Sequence, residues 1–519
     1  MAFVYPTGFS IFRIEPFTLR RRKALQQIGM GLSAGLLAPQ LFSSCKKDSP
    51  SPLVKFNGTV AIIGAGAAGL YAADILHSKG IDVFVLEARV SLGGRVRSFT
   101  FPDAQADNSS AAFQYDFHYP PTALAINDFP VELGAEIVYG SDSTWGKIIS
   151  VLSIPTIDLA AANNQYILDN VPKLSTDWQG DADFAAVQSF VSGLNSYSGG
   201  DVSIQSAAAV TARAQALLNG QAGNYYGSSA NRIGALGLTE ELKSIKHNTK
   251  SLTVKTNPWQ DILLSRFNQI TSKVTLNTPV ASIDYGGDLI TITDKNGKQF
   301  KANKVIVTVP LSILKSSGIS FSPSLPSVNT GAMGKFGMDA CMRVLIDFKT
   351  NFWGQDIGFI WGGSIVPQYF NIGFQRSKYN QTLSITVSGQ AAEILSSLSS
   401  PLSVLNTVIS ELDLLYPDTS GKFAGLASKN VRRKIVGTTE TDPIGTIYDW
   451  TKDLNIKGGF SYPLVGATHQ DRIDLGTAVP GKLFFAGEAT DVNGDAGTIN
   501  GALNSAERAT TELIKSITG

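Results

Sequence analysis

Val60 to Glu87, VAIIGAGAAGLYAADILHSKGIDVFVLE, leaves this chain few folds to choose from. The apolar run Val60 to Ile63 reads as a short buried strand that stops at Gly64. Gly64, Gly66 and Gly69 then fill the GxGxxG positions, with Ala65 and Ala68 between them. The first glycine lets the chain turn tightly, the second lets backbone approach a pyrophosphate, and the third lets helix and strand pack closely. The helix that opens there presents free N–H groups and the positive end of its dipole to phosphates. Asp82 to Leu86 reads as a second strand. It delivers Glu87, 23 residues after Gly64, where a carboxylate can accept hydrogen bonds from both ribose hydroxyls of an adenosine. Strand, helix and acid in register point to dinucleotide binding.

A length of 519 residues is too great for one core, so two or three domains are expected. The net charge of +1 supports neither nucleic acid nor an acidic partner. Cys45 and Cys341 form no CxxC pair, and His77, His118, His247 and His469 are scattered. That argues against both a disulfide framework and a zinc site. Each histidine reads as a surface or turn residue.

Residues 1–50 read as an export signal and tether outside the fold. Arg20-Arg21-Arg22-Lys23 precedes an apolar stretch, Ile28 to Phe42, that is too short and too interrupted to span a membrane. The paired arginines resemble a twin-arginine signal, and Leu41-Phe42-Ser43-Ser44-Cys45 resembles a relaxed lipoprotein processing site. The expectation is a periplasmic or membrane-anchored protein, touching the membrane only through a lipid at Cys45. The residues before Leu19 do not resemble a signal start, so translation is expected to begin later.

After Glu87 come Ala88-Arg89 and then Leu92-Gly93-Gly94-Arg95, where Arg95 can hold a phosphate oxygen with its planar fork. Near the other end, Leu483 to Phe485 reads as a strand running into Ala486-Gly487-Glu488-Ala489-Thr490. Gly497-Thr498-Ile499-Asn500-Gly501-Ala502 opens a terminal helix through Leu513. GxGxxG, then E-A-R and L-G-G-R, together with this closing run, resembles the FAD-dependent amine oxidase family of monoamine, polyamine and L-amino acid oxidases. Glu132-Leu133-Gly134-Ala135-Glu136 is similar to the family element that runs beneath the flavin ring.

The resemblance covers about residues 57 to 519 and implies an α/β fold. A Rossmann-like FAD-binding domain (57–140, 256–311 and 456–519) would be interleaved with a substrate domain of mixed sheet plus helices (141–255 and 312–455). It also implies that Gly134, Ala135 and Glu136 lie along the cofactor, that Val280 meets the adenine, and that Gly487 and Glu488 return to the pyrophosphate. Gly497, Thr498 and Ile499 would offer N–H groups to the ring. Between Arg97 and Glu132 the chain reads as an irregular insertion carrying Phe113, Tyr115, Phe117, His118 and Tyr119. Helical spacing marks Phe184 to Leu194, Ser206 to Asn219 and Leu402 to Leu415; Leu289 to Ala302 reads as a hairpin and Cys341 to Phe348 as a strand. Tyr225-Tyr226-Gly227-Ser228-Ser229 resembles a stretch of the family's substrate domain; its aromatics would line a funnel or pack in the core.

The implied reaction removes hydride from the carbon bearing an amine. Oxygen then gives hydrogen peroxide, and water hydrolyses the imine to an aldehyde or keto product and ammonia. Phe460 and Thr498 match the two side chains that frame the substrate's path, and Trp450 matches a tryptophan near the flavin. Gly459 stands where some members carry a flavin-bonding cysteine, so FAD is expected to be non-covalent. The sharper departure is Arg343, which replaces a lysine that holds water against the flavin; arginine is no equivalent. It would position water or oxygen, bind a substrate carboxylate, or face the surface after a shift in register. The substrate is accordingly a small amine or an amino acid. An L-amino acid oxidase, a tryptophan 2-monooxygenase-like enzyme and a flavin-bound non-catalytic lipoprotein remain alternatives.

Overall fold

Strand β1 (Thr59–Ile63) lies at the centre of a five-stranded parallel sheet, and its last four residues are buried. Apolarity on both faces is what that position requires. On one side β1 pairs with β2 (Asp82–Leu86), which pairs with β3 (Val274–Thr275). On the other it pairs with β4 (Lys304–Val307), which pairs with β5 (Leu483–Phe485). Helix α1 (Ala67–Ser78) connects β1 to β2 and packs against the terminal helix α2 (Ile499–Thr518). Leu503, Ala506, Ala509 and Leu513 recur at helical spacing on α2 and are fully buried. The start and the finish of the described fold therefore share one sheet and one core.

A computed structural model describes residues 53–99, 113–116, 131–376, 381–436 and 438–519. The expected export segment, with Arg20 to Lys23, the apolar run to Phe42 and Cys45, lies outside the described residues, as do Phe117, His118 and Tyr119. No described helix is long and apolar enough to cross a membrane.

The second large sheet has eight strands, with Cys341–Asp347 flanked by Thr382–Ser388 and Gly445–Asp449. All seven residues of Cys341–Asp347 are buried. Alternation sends Met342, Val344 and Ile346 to one face, where Leu405, Val408, Ile409 and Leu412 of helix Pro401–Leu415 cover them. Cys341, Arg343 and Leu345 take the other face, where Cys341 and Leu345 pack with Tyr448 and Trp450. Arginine at a fully buried strand position needs a partner, and that need shapes the site.

Two expectations change. Ser206 to Asn219 is not one helix: Ile204–Ala208 stops at Ala209, whose φ of 48° is left-handed, and the chain resumes in short turns. The stretch expected to be irregular contributes Phe113–Asp116 as an edge strand beside Gly445–Asp449.

Candidate active site

The first turn of α1 has Gly66 at its N-cap, no side-chain cap and no acidic residue. Gly66, Ala67 and Ala68 line a cavity of about 530 Å³ that Gly497, Thr498 and Ile499 line as well. Gly64 takes φ = +106°, and a Cβ on Gly69 would lie 1.9 Å from the Gly64 carbonyl oxygen, so the turn closes only without a side chain there. Gly69 and Ala65 do not line the cavity. Ala65 instead donates its N–H to Glu87 Oε2 at 2.6 Å, while Arg89 N–H donates to Glu87 Oε1 at 2.9 Å. Burial pushes the Glu87 carboxyl up from its ordinary value, against the pull of those two N–H groups. An uncapped helix start, a buried acid held by its own loop, and Ala88, Gly94 and Val280 on the same wall fit an adenine dinucleotide.

Both arginines of the opening motif are tied internally. Arg89 pairs with Asp453 and the Tyr448 hydroxyl. Arg95 Nη1 donates to Glu488 Oε1 at 2.8 Å and to the Gly459 carbonyl at 2.9 Å, which straps the N-terminal motif to the C-terminal one. Glu488 also accepts from Ser461 Oγ (2.7 Å) and Gly497 N–H (2.8 Å). Burial raises its pKa, but Arg95 and Ser461 outweigh it and hold it below the ordinary value.

Arg343 is 5% exposed, which removes the surface-facing reading. Its guanidinium pairs with Glu136 and donates to Ser384 Oγ (2.6 Å) and the Gly134 carbonyl (2.5 Å). Only Nε has no protein partner among the described residues. Glu136, expected along the cofactor, does reach the cavity, but its carboxylate is held by Arg343 and by Ser384 Oγ at 3.1 Å. Trp450 and Gly134 line the same wall; the Trp450 Nε1–H bonds the Leu133 carbonyl at 2.9 Å.

Phe460 is clamped between two glycines: a Cβ on Gly227 would lie 2.6 Å from its ring, and one on Gly497 2.5 Å. The Tyr225-Tyr226-Gly227 stretch and the C-terminal motif therefore meet on this ring. Thr498 caps α2, accepting from Gly501 N–H at 3.0 Å. The N–H groups of Gly497 and Thr498 are taken by Glu488 and the Asp495 carbonyl, so Ile499 carries the first cavity-lining N–H not already engaged.

Residues 261–514 match the flavin containing amine oxidoreductase family, and residues 62–129 match an NAD(P)-binding Rossmann-like domain. Polyamine oxidase 2 of Arabidopsis thaliana is 23% identical, over 86% of this chain and 85% of its own length. Polyamine oxidase 4 of Oryza sativa subsp. japonica is 24% identical, over 93% and 92%. The chain belongs to the flavin containing amine oxidoreductase family. It is an FAD-dependent oxidoreductase acting on amines. Human lysine-specific histone demethylase 2 is 24% identical across 84% of this chain, which spans 51% of that protein. Putrescine oxidase bound to putrescine has the same fold, with a TM-score of 0.66 at 19% identity over 88% of this chain and 99% of the other. So does cyclohexylamine oxidase from Brevibacterium oxydans, with 0.66 at 16% identity over 90% and 100%.

Sequence reasoning missed part of this amine oxidoreductase's cavity. His247 was read as a surface or turn residue, yet it lines the wall with Nε2 2.7 Å from Asp495 Oδ1 and Nδ1 2.8 Å from the Asn248 carbonyl. Burial pulls its pKa down, but both acceptors overcome that and raise it. Asn224, Gln368 and Thr386 form a polar wall near Arg343, joined by Asn224 Nδ2 to the Thr386 carbonyl at 2.9 Å. Cys341 also lines the cavity, with its thiol pushed up to about 11 by burial. No spacing rule joins residues this far apart; only the folded chain does. Among the described residues, no group of three or more His, Cys, Asp and Glu side chains is placed to hold a metal ion.

Proposed function

We propose that this protein oxidises amines that carry no carboxylate. The observation behind this is that, among the described residues, all three arginines on the cavity wall already have an internal carboxylate: Arg89 with Asp453, Arg95 with Glu488 and Arg343 with Glu136. Three of the five N–H groups of Arg343 are taken by Glu136, Ser384 Oγ and the Gly134 carbonyl, and its charge already faces Glu136, so a substrate carboxylate would have to compete with that buried acid. The remaining wall cations, Lys250, Lys295 and Lys457, are exposed. An amino acid would bury its carboxylate unpaired, which is strongly unfavourable.

Bound FAD would supply the hydride acceptor, with oxygen taking the electrons as hydrogen peroxide and water hydrolysing the imine. This chain's own part is to bind, orient and dehydrate. Tyr139, Tyr225 and Tyr226 line the cavity, and burial raises all three phenols, Tyr139 to about 12, so they stay neutral. A stretch of wall made of neutral phenols favours the neutral amine, the form that can lose hydride. Phe460, clamped by its glycines, orients the substrate against Thr498. FAD is held non-covalently in this reading: a side chain at Gly459 would meet Cys341 Cβ at 2.8 Å. We assign cofactor binding to residues 57–140, 256–311 and 456–519, and substrate binding to 141–255 and 312–455. The arginine pair and Cys45 support export and lipid attachment.

The test is anaerobic mixing of the FAD-loaded protein with amines and L-amino acids while following flavin absorbance. Bleaching by amines alone is expected. Bleaching by amino acids alone would select the amino acid oxidase reading, and no bleaching by either the binding module.

A further inference from the structure

Among the described residues, each of the five carboxylates on the cavity wall is already held by this chain. Glu136 faces Arg343; Glu488 faces Arg95 at 2.8 Å; Glu241 faces Arg472 at 2.7 Å; and Asp495 faces His247 at 2.7 Å. Glu87, at the nucleotide end, accepts from two backbone N–H groups. The two ring nitrogens of His247 meet a carboxylate and a carbonyl, both acceptors, which favours the doubly protonated ring, and Asp495 also accepts from Asn500 Nδ2 at 2.6 Å. The same cavity carries the aromatic and amide side chains Tyr139, Tyr225, Tyr226, Phe460, Asn224 and Gln368, none of which bears a negative charge.

We infer that the site selects monoamines with an apolar body and discriminates against diamines and polyamines. This rests on the amine-oxidation reading above. A diamine brings a second ammonium group, and a wall of matched charge pairs has no counter-ion to give it. Taking Arg343, Arg95, Arg472 or His247 from its partner would strand that cation instead. The second nitrogen must then shed its proton. For an alkylammonium with an ordinary pKa near 10.4, that is a penalty of ~10²-fold at pH 8. The reacting nitrogen bears the same penalty in both substrates, so it cancels.

Hexylamine and 1,6-diaminohexane differ by one amino group and make the matched pair. With the FAD-loaded protein, kcat/KM should favour hexylamine by ~10²-fold at pH 8, and the ratio should shrink about tenfold per pH unit toward pH 10 as the second nitrogen neutralises. Anaerobic titration of the flavin absorbance gives binding of each amine independently of turnover, and the same bias is expected there. Equal kcat/KM values within ~3-fold, or a preference for the diamine, would overturn the inference while leaving amine oxidation standing. A bias that does not change with pH overturns it too, because size rather than charge would then be selecting. If the amines bind with the pH-dependent bias yet never bleach the flavin, the monoamine selectivity stands and the oxidation reading falls. If neither binds nor bleaches, both fall.

Discussion

Replacing Glu136 with alanine removes the only carboxylate paired with Arg343 among the described residues. The guanidinium stays charged at every accessible pH and is 5% exposed, so the variant keeps a buried cation whose remaining partners are the Ser384 hydroxyl and the Gly134 carbonyl. Breaking a buried pair in this way destabilises by ~3–5 kcal/mol. Glu136→Gln keeps one acceptor for Arg343 and should lose less, ~1.5–3 kcal/mol, the range for a charged hydrogen bond. The double variant Glu136→Leu with Arg343→Met removes both charges and should recover to within ~1–2 kcal/mol of the native chain. Urea unfolding followed by tryptophan fluorescence, run on the FAD-loaded protein as a double-mutant cycle, gives the coupling directly. The space left in Glu136→Ala should also admit acetate, and acetate at ten times its dissociation constant would restore ~1.4 kcal/mol. A Glu136→Ala protein within ~1 kcal/mol of native stability would refute the reasoning, since Arg343 would then not depend on Glu136.

The other predictions follow from single contacts. Gly69→Ala places a Cβ 1.9 Å from the Gly64 carbonyl; forcing that turn apart should weaken FAD binding by at least ~10-fold in a flavin-fluorescence titration, and unchanged affinity would count against the tight turn. Acid precipitation should leave a colourless pellet with FAD in the supernatant, because Gly459 has no room for a side chain and burial keeps the Cys341 thiol protonated, at about 11. For His247 the folded pKa is raised, so its pairing with Asp495 stabilises the protein fully below the unfolded value of about 6.5 and is lost as pH rises through the folded pKa. His247→Gln should remove that part of the pH dependence of urea unfolding, and an unaltered profile would contradict the pairing.

How much of this could be read from the sequence depended on whether the signal was local. The β1–α1–β2 unit was legible because glycine spacing and strand apolarity act within a few residues. The two ends of the chain could be placed on one cofactor because each carries its own motif; β5 and α2 lie beside β1 and α1. The Ser206 to Asn219 helix failed because good helix formers do not forbid a left-handed residue, and tertiary packing decided Ala209. The cavity wall was least legible. His247 and Asp495 are 248 residues apart, and Arg343 and Glu136 207, so neither pair has a sequence period.

That last pair also explains why Arg343 read as an anomaly. Read alone, arginine in place of a lysine suggests a lost function or a new ligand. In the fold, residues 136 and 343 form one unit. Lysine is a point charge that can shed its proton when buried, so it tolerates a wall without a carboxylate. Arginine cannot shed its charge, and at a strand centre with every neighbour buried it requires an anion on the same face. Glu136 supplies it, and Ser384 and the Gly134 carbonyl take further N–H groups of the fork. An acid at 136 and an arginine at 343 should therefore be exchangeable only together. Arg343→Lys alone would leave Glu136 facing a shorter cation without the fork's second contact, the Gly134 carbonyl. If Arg343→Lys kept full stability and full amine turnover, the fork would be dispensable, and the pairing would reduce to charge alone.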